Sequence, residues 1–159
     1  MEMGDILRDF IAGQNIIGNY IATTVNTWEM IDCFLPIDIF EMCLKISKKE
    51  AKLLVIDGFP RRMDEAAIFD QKMKEFYREY LVVHLELSKE KAMERMLKRA
   101  SIEWRKDDTP EVIAKRIELF EQNTIPVIEY FESLGKLVTI GADKPIDEVQ
   151  AELKKKLGF

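Results

Sequence analysis

Apolar and polar positions alternate at helical spacing over the first fifty residues. Ile6, Leu7, Phe10 and Ile11 share one face, which predicts a short helix from Asp5, placed to cap it, to about Ala12, with Gly13 ending it. The apolar but less periodic stretch from Ile16 to Trp28 reads as a second helix. Pro36 suits the first turn of a third, with Ile37, Ile39, Phe40, Met42, Cys43 and Ile46 to bury. The texture then changes. Leu53-Leu54-Val55-Ile56 is a continuous apolar run closed by Asp57-Gly58, the pattern of a buried parallel strand ending in a loop. A helix from about Asp64 to Arg78, a strand over Leu81–Leu87 and a helix from Ser88 to about Ala100 follow. Lys91, three residues after Ser88, rules out a capping box there. Residues 101–108 are polar and loop-like. Asp108 or Thr109, with Pro110 just inside, opens a long helix carrying Ile113, Ile117, Phe120, Val127, Ile128 and Phe131, which Pro126 should kink or break. Leu137–Ile140 is a third strand, and Asp143-Lys144-Pro145 opens a last helix, Ile146 to Leu157. Strand and helix alternate, the signature of an α/β fold with a parallel sheet covered by helices.

Composition narrows the class. The 159 residues are one domain's worth of chain, and 47% apolar with 33% charged excludes disordered and fibrous proteins. No apolar run approaches the ~18 residues of a membrane span, and MEMGDILRDF lacks the basic-then-apolar order of a signal peptide. Cys33 and Cys43 share one apolar segment and make no disulfide framework, so a cytoplasmic protein is expected, with no membrane partner. The net charge of −5 argues against a nucleic-acid partner. His84, mid-strand, reads as a core or edge histidine, the methionines as core filler, and Lys154-Lys155-Lys156 as a solvated helix end suited to the dipole.

The charge average conceals an uneven use of arginine, eight against sixteen lysines. Asp57-Gly58-Phe59-Pro60-Arg61 closes the first strand, where α/β sheets bind ligands. An acid there can hold a hydrated metal ion, Gly58 admits a close backbone approach, and Pro60 fixes the loop presenting Arg61. A plain turn with a solvated arginine is the alternative. Arg95 and Arg99 lie four apart on one helix, Arg105 follows in the polar loop, and Arg116 stands early on the next helix. Converging guanidiniums repel unless an anion fills the gap, and arginine matches phosphate oxygens with paired hydrogen bonds. Pairing with Glu94, Glu103 and Glu118 on the surface is the alternative for each.

Taken together, these segments resemble the adenylate kinases, the nucleoside monophosphate kinase family. Asp57–Arg61 is similar to the family's DGFPR motif and Gly4-Asp5-Ile6-Leu7-Arg8 to its TGDxLR segment. Arg95–Arg99, then Arg105-Lys106-Asp107-Asp108 with Lys115-Arg116-Ile117, resemble the two sides of its lid. Thr124–Phe131 and Lys144–Val149 resemble its TxPxIxYY and KPxxEV stretches. The resemblance implies a P-loop-NTPase-like fold in a single domain: a monophosphate-binding arm over 3–50, a core over 51–159 and a short lid over 100–108, too short for a zinc-binding insert. It implies transfer of the γ-phosphoryl of Mg-ATP to AMP or a related monophosphate. Arg8 and Arg61, with Gly4, Gly58 and Glu65, would bind the acceptor. Arg95 and Arg99 would bind ATP, and Arg99, Arg105 and Arg116 would surround the phosphates in transfer. Asp107 and Asp108 would belong to the lid, and Asp57 would bind Mg²⁺ through water. Six of the eight arginines fall on these positions.

Three departures from the family pattern matter. The family opens with a strand, a Gly-x₄-Gly-Lys-[Ser/Thr] P-loop, a helix and a strand, a unit of about 30 residues. Here Gly13-x₄-Gly18-Asn19-Tyr20 is the nearest match; it lacks the lysine and hydroxyl, and both glycines read better as helix breaks. The first, central strand and the P-loop are therefore expected to be missing, leaving two open strand edges and weak or no activity. Met3 replaces the usual Thr, and Glu65 replaces a Gln that reads the acceptor's adenine, which leaves the acceptor open. Two further readings follow: a nucleotide-binding pseudokinase or regulatory module, and a structural subunit completed by a partner strand. The resemblance implies a monomer, with strand-completing self-association as the alternative here. Trp28 has no family counterpart and reads as a packing anchor.

Overall fold

The structure, a computed structural model, describes residues 2–26, 34–47, 53–103 and 109–158. Arg105, Asp107 and Asp108, and with them Trp28 and Cys33, lie outside the described residues. The chain is mixed α/β and helix-rich, as its alternating pattern predicts, and divides into two compact units, Met1–Glu79 and Tyr80–Phe159.

The first unit contains α1 (Met3–Ala12), α2 (Ile16–Asn26), α3 (Phe34–Ile46) and α4 (Met63–Glu75). Helix α1 begins before Asp5, because Glu2 bridges Asp57 in parallel and the Met3 amide donates to the Asp57 carbonyl at 3.1 Å. Glu2 is the N-cap and makes no side-chain cap, so Asp5 stands in the first turn, where its charge suits the helix dipole. Gly13 closes α1 as expected, but Gly18 is no break. It lies inside α2, where its bare backbone lets the Phe10 carbonyl approach, and Asn15 Oδ1 caps the turn by accepting the Gly18 amide at 2.8 Å. On α3, Ile37, Ile39, Phe40 and Leu44 turn inward; Met42 and Ile46, expected inside, are 59% and 73% exposed. The Arg78 guanidinium closes α3 by donating to the Ser47 carbonyl at 3.2 Å and to Ser47 Oγ at 2.9 Å. The core of this unit is aromatic, with Phe40 stacked 4.9 Å from Phe69 and 5.2 Å from Phe59.

The strand expected at 53–56 is not present as a ladder. Among the described residues, pairing there is confined to the Glu2–Asp57 bridge, and Leu53 and Val55 are 62% and 64% exposed.

The second unit contains β1 (Val82–Glu86), α5 (Lys89–Glu103), α6 (Pro110–Leu119), α7 (Ile125–Ser133), β2 (Leu137–Gly141) and α8 (Ile146–Leu157). The two strands pair in parallel from Val82–Leu137 to Glu86–Gly141, with half-buried His84 opposite Thr139. Parallel pairing requires a crossover, which α5 to α7 supply. Thr109 caps α6 by accepting the Val112 amide at 3.4 Å, with Pro110 at the first helical position. The expected break at Pro126 takes a specific form. A π-helical turn, Phe120–Thr124, precedes it, with the Ile125 amide donating to the Phe120 carbonyl. Proline has no amide for the carbonyl four residues back and its ring crowds that carbonyl; a widened turn relieves both. Ile113, Ile117, Val127, Phe131 and Ile140 form the core, and Tyr80 meets Phe131 edge-on at 5.9 Å.

Candidate functional site

In the first unit the structure gathers Gly4, Arg8, Asp57, Gly58, Arg61 and Glu65 around the meeting of α1 with the loop before α4. The Met3–Asp57 hydrogen bond joins the two segments. Phe59 is 8% exposed between Phe40 and Phe69, so the loop is anchored in the aromatic core and the residues beside it are positioned. Gly58 has φ of 77°, and a Cβ on it would lie 3.2 Å from an Arg61 guanidinium nitrogen and 3.7 Å from Met3 Cβ. Only glycine takes that backbone without strain. Arg61 Nε donates to the Gly58 carbonyl at 3.0 Å, folding the side chain back over its own loop.

Arg8 lies across the first turn of α1, where its guanidinium is within 3.3 Å of the place a Cβ on Gly4 would take. It forms an ion pair with Asp5 and stands 3.7 Å from Glu2. The Arg8 end of the site is thus lined by acids as well as by the guanidinium. The Asp5 side chain, hydrogen-bonded to Glu2 and like-charged, raises the Glu2 carboxyl above its ordinary range; Asp57 adds to the rise.

Glu65, named from the resemblance as an acceptor-binding residue, faces inward. It is 3% exposed, and its Oε2 accepts the Arg61 amide at 2.7 Å. Burial raises its carboxyl, while the Arg61 and Arg62 amides oppose that rise. The carboxylate of Asp57 is exposed. Among the described residues no three His, Cys or acidic side chains gather into a cation cage. A single exposed carboxylate still fits Mg²⁺, which keeps most of its waters and takes other ligands from substrate phosphates.

In the second unit Arg95, Arg99 and Arg116 ride on α5 and α6. Arg95 is tied by a 2.7 Å bond from its guanidinium to the Ala142 carbonyl, just past β2. Beside it, at the carboxyl ends of both strands, a groove of about 350 Å³ is lined by Glu86, Leu87, Ser88, Gly141 and Asp143. That is where ligands of parallel sheets bind. Arg99 and Arg116 are half-buried. Asp143, which lines this groove, is paired with Lys91 at 3.3 Å, and neither was singled out by the sequence reading as a site residue. Their signal was available, since Lys91 stands one helical turn before Arg95 and Asp143 directly follows Ala142.

The chain matches the family model described as Adenylate kinase over residues 1–136. It is 34% identical over 160 residues to Adenylate kinase 1 of Nostoc, covering 99% of this chain and 84% of the relative. It is 31% identical over 152 residues to Adenylate kinase isoenzyme 1 of Caenorhabditis elegans, covering 95% of this chain and 71% of the relative. An adenylate kinase of Thermus thermophilus is 30% identical over 160 residues, covering all of this chain and 83% of the relative. Such matches along nearly the whole chain carry the conclusion that it belongs to the adenylate kinase family and is a phosphotransferase of that kind.

Proposed function

We propose that this chain binds a nucleoside monophosphate at the Arg8–Arg61 patch and takes part in transfer of the γ-phosphoryl of Mg-ATP to it, AMP being the first acceptor to try. The observation that carries the reading is the junction of α1 with the loop before α4, where the Met3–Asp57 bond joins the segments bearing Arg8 and Arg61. In this reading Arg8 and Arg61 take the acceptor's phosphate, Gly4 and Gly58 leave room beside them, and Glu65 belongs to the same subsite. Arg95 lies against the donor nucleotide at the groove beyond β1 and β2. Arg99, Arg105 and Arg116 neutralise charge on the phosphoryl group, and Asp107 and Asp108 stand on the lid side. Phosphoryl transfer asks the protein mainly for positioning and charge neutralisation, which arginines supply. Mg²⁺ held through water by Asp57 would neutralise phosphate charge. The organisation proposed is the arm over 3–50, the core over 51–159 and the short lid over 100–108.

The 159 residues contain no Gly-x₄-Gly-Lys-[Ser/Thr] sequence. A second reading is a chain that binds nucleotide with little turnover. A coupled phosphotransfer assay with AMP, CMP, UMP and GMP separates the two, run on this chain and on one carrying an added P-loop unit. Turnover in the extended chain supports the kinase; silence with every acceptor contradicts it. No helix among the described residues is long and apolar enough to cross a membrane, and Cys43 is a free thiol.

A further inference from the structure

We propose that Glu65 is a positioning residue for Arg61, acting through the main chain, and does not read the acceptor's base. The inference deepens the monophosphate reading and rests on it. Helix α4 has Arg62 at its N-cap, with no side-chain cap of its own. The Arg62 guanidinium donates to the Asp64 carboxylate, at 3.0 and 2.8 Å. Asp64 Oδ1 accepts the Glu65 amide at the helix start at 2.9 Å. Glu65, third in the helix, turns back past the N-cap: its Oε2 takes the amide of Arg61, the residue before it, at 2.7 Å. This is the glutamate half of a capping box, shifted one residue outward.

The bonded residue is the one proposed to grip phosphate. Arg61 is therefore held at both ends: the main chain by Glu65, the side chain by the Gly58 carbonyl at 3.0 Å. Phe59 anchors the same loop in the core. A carboxylate 3% exposed and committed to an amide is not offered to a ligand. Phosphate affinity should thus depend on Glu65, and base preference should not.

The test titrates wild type, Glu65→Ala, Glu65→Gln and Glu65→Asp with AMP, GMP and adenosine, and follows hydrogen exchange at the Arg61 amide. A hydrogen bond to a charged acceptor is worth roughly tenfold or more. Glu65→Ala should lose AMP affinity about tenfold, with adenosine binding unchanged. Glu65→Gln keeps an accepting oxygen and should restore affinity, leaving the AMP-to-GMP ratio at its wild-type value. Glu65→Asp keeps the charge but is one methylene short, and should behave as Ala; it carries the test if the Ala variant does not fold. Exchange at the Arg61 amide should quicken in Ala and Asp and return in Gln. Wild-type AMP affinity in both Ala and Asp, or a changed AMP-to-GMP ratio in Gln, overturns the proposal. If wild type binds no monophosphate, the reading of the site fails, and Arg61 exchange decides positioning: quickened in Asp and restored in Gln supports it, unchanged overturns it.

Discussion

The backbone of Gly18 lies so close to the Phe10 carbonyl that a Cβ at position 18 would come within 2.0 Å of that oxygen. Helices α1 and α2 cross there, and the contact is backbone against backbone. Replacing an interior helical glycine by alanine ordinarily gains up to ~1 kcal/mol from helix propensity. Here the clash cannot be relieved by a rotamer change, and separating the helices forfeits packing worth about 1–3 kcal/mol. Gly18→Ala should therefore destabilise the protein despite its better propensity. Urea unfolding of the two proteins checks this; a more stable alanine variant contradicts the crossing.

Phe40 is fully buried between Phe59 and Phe69. Phe40→Ala should cost about 3–5 kcal/mol, and Phe40→Leu, which keeps most of the volume, about 1.5 kcal/mol or less. Because Phe59 anchors the loop that carries Arg61, Phe40→Ala should also weaken AMP binding under conditions where it remains folded. Denaturation midpoints with parallel AMP titrations check both outcomes.

Burial raises the Glu65 carboxyl above its ordinary value near 4.5. In the unfolded chain the group ionises around that value, whereas in the fold it holds its proton to higher pH. Stability contributed here is full below pH 4.5 and falls as pH rises through the window up to the raised value. Glu41 has the opposite sign: Lys45 and Lys72 lower its carboxyl, so its contribution is present above 4.5 and is lost on acidification. Glu65→Gln isolates the first effect. Its melting temperature relative to wild type should be higher at pH 7 than at pH 4, the difference shrinking on acidification. A pH-independent difference contradicts the assignment.

The Asp5–Arg8 ion pair is exposed and competes with any phosphate for the same guanidinium. Exposed pairs are worth at most about 1 kcal/mol, so Asp5→Asn should tighten AMP binding by up to about fivefold. It should also lower stability slightly, because Asp5 sits in the first turn of α1, where a negative charge contributes ~0.3–1 kcal/mol. Calorimetry and a thermal melt measure the two opposed effects.

What the sequence made legible follows from how local each cause is. Helix α8 matches its expected bounds, Ile146 to Leu157, because Pro145 and Gly158 punctuate an amphipathic run. Strand β2 is a short apolar run whose partner β1 lies within the chain, and it pairs. Leu53–Ile56 has the same texture without such a ladder, which no local pattern announces. Met42 and Ile46 look like core on composition, yet they sit on the outer side of α3. At the site, Arg8, Arg61 and Gly58 were visible as motif positions. The inward turn of Glu65 was not, since it depends on the path of the loop that brings the Arg61 amide within reach of its carboxylate. Arg95 was legible as a cation but not as a tether, because its acceptor is the main chain of Ala142, forty-seven residues away.

The account turns on a phosphate gripped by Arg61. Its most direct test is calorimetric titration of AMP into wild type and Arg61→Ala, with adenosine as the phosphate-free control. A bidentate arginine-phosphate contact is a charge-assisted pair worth about 1.5–3 kcal/mol. The expected result is AMP affinity lower by roughly ten- to hundredfold in Arg61→Ala, with adenosine bound equally by both proteins. Equal AMP affinity in the two proteins would contradict the account.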